Sequence, residues 1–365
     1  MTKKKVGIIF GGKSAEHEVS LQSAKNVYDA IDKDKYDVLL IGIDKEGRWH
    51  LNESSSYLLN AENPKLIELN KTNKGVAVVP GEDQSQLINV TNASSIEQLD
   101  VIFPILHGPL GEDGTIQGMF KLAGLPFVGA GVLGSAVSMD KDIAKRLLKD
   151  AGLSVAESLT FKKCDHHKIS YENVKNELGL PLFIKPANQG SSVGVSKVSN
   201  EEEFLTGIES AFQFDHKIIV EKSVIGREIE CAVLGNDDPI ASAVGEILPQ
   251  GDFYSYEAKY IDEKGALLDI PATLTEVEVE TVKEQAIKAF EALNCEGMAR
   301  VDFFLLENGE LVINEINTIP GFTKISMYPK LWDISGVSYT ELIDRLIVLA
   351  IERHERDDKL QNRYF

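Results

Sequence analysis

Apolar residues open the chain as a short run, Val6–Phe10, cut off by Gly11-Gly12, the pattern of a buried β-strand. From Glu16 to Ile31 they recur at helical spacing, and Tyr36–Ile43 returns to a strand-like run. Val101–Leu106 reads as a third strand, closed by the turn-rich segment HGPLGEDG, and a helix follows over Ile116–Leu122. Strands alternating with helices predict a parallel sheet with helices on both faces. Residues 52–98 lie inside this block, are polar and weakly patterned, and predict no element.

The pattern then changes. Ser138–Ala151 has the spacing of one amphipathic helix. Strand Leu182–Lys185, a Gly/Ser-rich loop to Ser196, a helix over Glu201–Ala211 and strand Lys217–Lys222 follow. The last part reads as strand Glu228–Leu234, a polar stretch Gln250–Gly265, a helix over Thr275–Leu293, two strands flanking Asn308-Gly309, and a final helix over Tyr339–His354. No internal repeat or low-complexity tract interrupts this order. The fold class expected is α/β, turning α+β in the C-terminal part.

Length and composition narrow the class. A chain of 365 residues exceeds one ordinary core and predicts two or three domains. The 38 Lys and Arg against 57 Asp and Glu leave a formal charge of −19. That field repels nucleic acid and anionic membranes, so a phosphate-bearing ligand needs local lysines or metal ions. Cys164, Cys231 and Cys295 are odd in number and form no CxxC pair, which favours a reducing compartment. No run approaches the ~18 apolar residues of a membrane helix. The opening MTKKKVGIIFGG reads as a first strand, not a targeting segment. A cytoplasmic location is expected.

The segment ARVDFFLLENGELVINEIN carries the most chemistry. Asn-Gly between two apolar runs is a strong hairpin signal, usually a two-residue type I′ turn. Counting outward from Asn308-Gly309 pairs Glu307 with Glu310, Asp302 with Glu315 and Arg300 with Asn317. Strand side chains alternate, so these last four share one face of the ribbon. Directly opposed like charges destabilise a sheet. A divalent cation gives Asp302 and Glu315 a reason to face each other, with Asn317 adding an uncharged oxygen. The plainer reading is a solvated face on which Arg300 neutralises Asp302.

Phosphate handling has two candidate loops. In LFIKPANQGSSVGVS, Lys185 ends a buried strand, and Gly190, Ser191, Ser192 and Gly194 let backbone N–H groups approach anionic oxygens. The same loop also fits an ordinary surface turn with a snorkelling lysine. The second candidate, Gly7 to Ser14, satisfies the P-loop expression G-x4-G-K-S, but its central residues belong to the first strand, where a P-loop needs a free cradle. It reads as a coincidence. Gly11-Gly12 instead lets the backbone turn at a strand's carboxyl end, where α/β sheets bind ligands.

GGKSAEHEVSL, HGPLGEDGTIQG, SMDK, IKPANQGSSVG, VEKSVIGREIE, FYSYEAKY, ARVDFF and INEINTIPGFT, in that order, resemble the ATP-grasp superfamily and, within it, the D-alanine–D-alanine ligase family. The resemblance covers nearly the whole chain. It implies a three-domain ATP-grasp fold: residues 1–129 with a Rossmann-like parallel sheet, 130–222 as the central unit, and 223–365 with a lid over 250–265 and a metal-binding hairpin over 299–317. By resemblance, Lys141, Lys185 and the loop containing Ser192 hold ATP phosphates. Glu221, Lys222 and Val224 form the adenine edge, Glu228 binds the ribose and Phe253 packs on the adenine. Asp302, Glu315 and Asn317 look like ligands of two Mg²⁺ ions, for which Mn²⁺ is able to substitute.

The amino-acid site implied is Glu16, Ser191 and Tyr260, with Arg300 and the Gly321 N–H as oxyanion donors. Ser326, Lys259 and His107 lie beside the substrates. Plainer readings stand beside several of these. Glu16 suits a first helical turn, His107 a strand end bonded to its own loop, Tyr260 a loop anchor, and Lys141 an exposed helix face. The activity implied joins two D-alanine molecules through a D-alanyl phosphate for peptidoglycan precursors, in a homodimer. Tyr260 favours a dipeptide over an ester product. The rival products are D-alanyl-D-lactate and D-alanyl-D-serine; a nucleotide-binding regulator without catalysis is the rival from another class.

Overall fold

The computed structural model describes residues 3–53, 56–72, 74–81, 86–96, 98–249 and 266–361. The N-terminal sheet has the order β3-β2-β1-β8, from β1 (Lys4–Gly11), β2 (Tyr36–Ile43), β3 (Trp49–Asn52) and β8 (Val101–Ile105). β1 runs parallel to β2 and β8, and β3 closes the edge antiparallel. The weakly patterned stretch holds two short antiparallel ladders, β4 (Leu58–Leu59) with β5 (Glu68–Leu69) and β6 (Val76–Val78) with β7 (Leu87–Asn89). Strands of two or three residues are too short to show a period, which explains why the sequence hid them.

Alternation along β1 loads both faces. Val6, Ile8 and Phe10 pack with α1 (His17–Ala30) in one core, and Ile9 joins Ile41, Ile102 and Phe120 in another. Phe120 stands on α2 (Thr115–Leu122), so helices cover both faces as expected. The single helix expected over 138–151 is two: α3 (Val132–Met139) stops, and Asp140 caps α4 (Lys141–Asp150) by accepting from the Ile143 N–H at 3.1 Å. The apolar spacing runs through this break, but Asp is a preferred N-cap and restarts the helix.

A second sheet, order β11-β10-β12-β9, holds β9 (Ser158–Lys162), β10 (Leu182–Pro186), β11 (Ser196–Val198) and β12 (Lys217–Lys222), all antiparallel. Helices α5 (Tyr171–Leu178) and α6 (Glu201–Phe214) cover one face and form a core of their own. A third antiparallel sheet, order β15-β14-β13-β16-β17, comprises β13 (Arg227–Gly235), β14 (Ile240–Pro249), β15 (Ala266–Asp269), β16 (Gly297–Leu305) and β17 (Leu311–Asn317). One face packs on α7 (Glu276–Ala292). The other meets α8 (Met327–Ile334) and α9 (Tyr339–Asp358), whose Tyr328, Leu342, Ile343 and Leu346 also bury the α1 side of the N-terminal sheet.

The hairpin reaches the expected pairing by an unexpected route. Leu306 and Glu310 close the turn, and Gly309 adopts φ +82°, so the loop is Glu307-Asn308-Gly309, three residues with glycine left-handed. The two-residue turn expected from the sequence is therefore incorrect. It leaves Leu305 opposite Leu311 and Phe303 opposite Ile313, one residue out of register. A bulge at Asn314 then restores the count, and Asp302 faces Glu315 and Arg300 faces Asn317. The two departures cancel.

Candidate functional site

The cleft between the second and third sheets has a cavity of about 330 Å³. Lys141, Lys185, Ser191, Ser192, Glu221, Lys222, Val224, Glu228 and Glu315 all line it. Phe183, Val195 and Phe304 supply apolar wall, suited to a flat ring. Lys141 opens α4, where its Nζ donates to the Gln189 carbonyl at 2.6 Å and stands 3.8 Å from Glu315. That places it in the cleft wall, half-shielded, not on an open helix face. β10 aims Lys185 the same way, and its Nζ meets Glu221 at 2.6 Å.

Lys145, which sequence reasoning passed over, completes a buried triad by approaching the other Glu221 oxygen at 2.9 Å. Burial pushes the Glu221 carboxyl up, but the two ammonium groups outweigh it and hold it at about 2. Burial pushes Lys145 down, and Glu221 only partly restores it. Lys185 ends above the ordinary lysine range because Glu221 outweighs its burial. The missed signal was the i, i+4 spacing of Lys141 and Lys145, which puts both on one helix face.

The 190–194 loop is built tightly. Ser191 and Ser192 take φ +49° and +61°, left-handed values uncommon for residues with a Cβ, and Gly194 takes +70°. Such strain, roughly 1–3 kcal/mol per residue, clusters at functional loops. The Ser191 hydroxyl donates to Glu16, which sits at the N-terminus of α1 in the first sheet's territory. The Glu16 carboxylate is 6% exposed and caps no helix N–H, so its first-turn position is not its whole role. A Cβ on Gly108 would lie 2.6 Å from Glu16, and one on Gly190 3.0 Å, so both glycines make room for it.

Glu112, also missed, flanks this carboxylate. It accepts from the Gly108 N–H at 2.6 Å and the Ile319 N–H at 3.2 Å. Burial, and then the nearby Glu16 charge, raise its carboxyl to about 8. His107 is fully enclosed, and burial lowers its imidazole to about 4 despite a bond to the Ile319 carbonyl. Its other ring nitrogen meets Ser23 Oγ at 3.2 Å. Both nitrogens are thus bonded within the protein, and the strand-end reading understates the link, since Ile319 belongs to a distant segment.

On the hairpin face, Arg300 grips Asp302 with two bonds of 2.7 Å each and stands 3.0 Å from Glu230. Asn317 Nδ2 donates to Asp302 at 3.0 Å. The carboxylates share a face as the pairing predicts, and Arg300 neutralises one of them, but the face is not a solvated one, since Asp302 is buried. The donors fit a hard cation shared with phosphate oxygens, as Mg²⁺ sites usually are. Among the described residues no three His, Cys, Asp or Glu converge tightly enough to hold an ion alone. Ser326 heads α8, its hydroxyl 2.8 Å from Thr323 Oγ1. Phe253, Lys259, Tyr260 and the lid over 250–265 lie outside the described residues. The P-loop expression is spent on β1 and the turn after it, where a Cβ on Gly11 would lie 2.2 Å from the Ile43 carbonyl.

Comparison with known proteins adds a family. Residues 5–130 match the family described as D-ala D-ala ligase N-terminus, and residues 147–348 match D-ala D-ala ligase C-terminus. The chain is 67% identical over 360 residues to a D-alanine–D-alanine ligase of Oceanobacillus iheyensis, covering 99% of this chain and 98% of the relative. It is 58% identical over 361 residues to D-alanine–D-alanine ligase A of Escherichia coli K12, covering 99% of both. The solved D-alanine-D-alanine ligase of Coxiella burnetii superposes with a TM-score of 0.84 at 36% identity, over 98% of this chain and 97% of that one. VanG D-Ala:D-Ser ligase of Enterococcus faecalis gives 0.84 at 40% identity, over 96% and 100%. A cleft lined by lysines, a strained serine loop tied to Glu16 and an acidic ribbon face agree with full-length matches on every side, and the chain belongs to the D-alanine–D-alanine ligase family.

Proposed function

We propose that this chain is an ATP-dependent, ADP-forming ligase that joins two D-alanine molecules through a D-alanyl phosphate to give D-alanyl-D-alanine for peptidoglycan precursors. One observation carries the reading. The hydrogen bond from Ser191 to Glu16 joins a phosphate-type loop to a buried carboxylate beside a cleft with lysines on one wall and Glu315 on the other. A carboxylate beside a phosphate site suits an amino-acid ammonium whose own carboxylate is to be phosphorylated.

In this reading ATP lies in the cleft, its adenine against Glu221, Lys222, Val224 and Phe253, its ribose on Glu228, and its phosphates on Lys141, Lys185 and the loop with Ser192. The first D-alanine is held by Glu16, with Ser191 and Tyr260. Its carboxylate oxygen attacks the γ-phosphorus and ADP leaves, which makes the carbonyl carbon electrophilic. The deprotonated amine of the second D-alanine, placed by Ser326 and Lys259, attacks that carbon. Arg300 and the Gly321 N–H stabilise the tetrahedral oxyanion until phosphate departs with the C–O bonding pair. Asp302, Glu315 and Asn317 are the residues that would hold Mg²⁺, which when bound offsets phosphate charge. Water must stay out while the acyl phosphate persists, the role assigned to the lid over 250–265.

The three-part division 1–129, 130–222 and 223–365, a homodimer and a cytoplasmic location belong to the same proposal. Separate sheets support the division, and the absence of any described helix long and apolar enough to cross a membrane is consistent with the location. Phosphate release from ATP is the test. D-alanine should drive it and L-alanine should not; equal rates, or none with D-alanine, defeat the reading. Supplying D-serine or D-lactate with limiting D-alanine identifies the acceptor, and preferred D-alanyl-D-serine formation would move the chain toward the activity named for the VanG relative.

A further inference from the structure

The segment Ile319-Pro320-Gly321-Phe322 follows β17 and carries the N–H that the proposed reading uses as an oxyanion donor. The N–H and carbonyl groups of Ile319 and Phe322 are held by side chains from elsewhere in the chain. The Ile319 N–H donates to Glu112 at 3.2 Å, and the Ile319 carbonyl is 3.0 Å from His107 Nδ1. The Phe322 N–H donates to Ser23 Oγ at 3.2 Å. The Phe322 carbonyl accepts from Asn26 Nδ2 at 3.0 Å and from the Tyr339 hydroxyl at 2.7 Å. Pro320 has no N–H to offer. Among the described residues the Gly321 N–H meets no acceptor.

These bonds determine the hydrogen positions. A carbonyl only accepts, so His107 Nδ1 carries the proton and donates to Ile319. Nε2 of the neutral ring is then an acceptor and takes the Ser23 hydroxyl proton. Ser23 Oγ in turn accepts from Phe322. The chain runs from Phe322 through Ser23 and His107 to Ile319, starting and ending on the two residues that bracket Pro320-Gly321. Ser23 is 0% and His107 4% exposed, so water does not compete for these bonds. With both ring nitrogens committed, His107 has no donor or acceptor left for an amino acid.

We propose that Ser23, His107 and Glu112 are positioning residues that aim the Gly321 N–H at the reacting carbonyl, and that His107 does not touch substrate. The proposal rests on the ligase reading above. An oxyanion donor acts only where charge develops, and losing one outright typically costs about 10²–10³ in turnover. Loosening its support should cost less, about tenfold, because the donor remains but wanders. The loss should fall on attack at the acyl phosphate, not on its formation.

The test compares Ser23→Ala, His107→Leu and His107→Asn with the parent enzyme. Asparagine carries an amide N–H where the ring has Nδ1, so it should recover most of what leucine loses. Three readouts are taken: kcat for dipeptide formation, KM for the first D-alanine, and scrambling of bridge ¹⁸O in labelled ATP with D-alanine dilute enough to leave the second position empty. Scrambling reports acyl phosphate formation alone. The expected result is kcat down about tenfold in the alanine and leucine variants, with scrambling and KM within about twofold of the parent. A raised KM with kcat preserved would make His107 a substrate ligand and overturn the proposal, as would unchanged kcat in both variants. Should leucine prevent folding, Ser23→Ala removes a single oxygen and decides alone. A parent enzyme that makes no dipeptide brings down the ligase reading itself, a failure seen before any variant is made.

Discussion

His107 folds into a place where its ring cannot take up a second proton. Its imidazole falls to about 4 in the fold from an ordinary value near 6.5. A depressed value means stability is fully present above pH 6.5 and lost as pH falls toward 4, because only the unfolded chain takes up the proton freely. The loss amounts to about 3 kcal/mol. Denaturant titrations at pH 7 and pH 4.5 on the parent and His107→Asn should show a smaller pH difference in the variant; equal slopes would remove His107 from the acid response. The triad around Glu221 makes a second prediction. Removing the carboxylate leaves Lys145 and Lys185 facing each other in a buried place, so Glu221→Gln should cost about 3–5 kcal/mol. Lys145→Met leaves a balanced Glu221–Lys185 pair and should cost far less. Urea midpoints measure both, and the reverse order would contradict the charge argument.

At the scale of elements, the bulge at Asn314 is the most consequential irregularity. Deleting Asn314 would leave Asp302 opposite Glu315 and Phe303 opposite Ile313, since the short register simply continues. What disappears is the local twist and the Asn314 side chain, which borders the cleft. The deletion should fold, with ATP binding weakened about tenfold in calorimetry; unchanged affinity would make the bulge incidental. The bulge was legible, though it was not read. Leu311 and Ile313 are two apart and both reach the α7 core, but the next core residue is Ile316, three further on. A regular strand would have put the charged Glu315 in that core. The principal strands, α1, α2 and the metal-type pairing were readable because each carries a sustained period or a strong turn. Lys145 and Glu112 were not, because their roles come from partners such as Glu221 and Ile319 that only the folded chain brings near. The break at Asp140 was hidden by an apolar spacing that continues across it.

Across the whole molecule, the first sheet owns only one of its two cores. Val6, Ile8, Phe10 and Phe103 pack against Phe322, Tyr328, Leu346 and Ile347, so the beginning and end of the chain are one cooperative body. The second sheet and its helices α5 and α6 bury a separate cluster. Hydrogen exchange should therefore give β1, β8 and α9 a common opening free energy and let β10 and β12 open on their own. A fragment of residues 1–130 should fail to give a sharp melting transition, because each large apolar side chain left uncovered forfeits about 1.5–3 kcal/mol. A cooperative melt of that fragment would count against the shared core.

The helix α9 that completes this body also carries Arg353, whose guanidinium donates to the Phe127 carbonyl at 2.7 Å and rests 4.5 Å from the Phe127 ring. During synthesis, that helix emerges long after β8. Ribosomes add roughly 5–20 residues per second, so the nascent first sheet waits on the order of 10–50 s with one oily flank unclothed. Over that interval the growing polypeptide is a natural client for a chaperone, and its packing is complete only when a late-made helix returns to cover an early-made sheet.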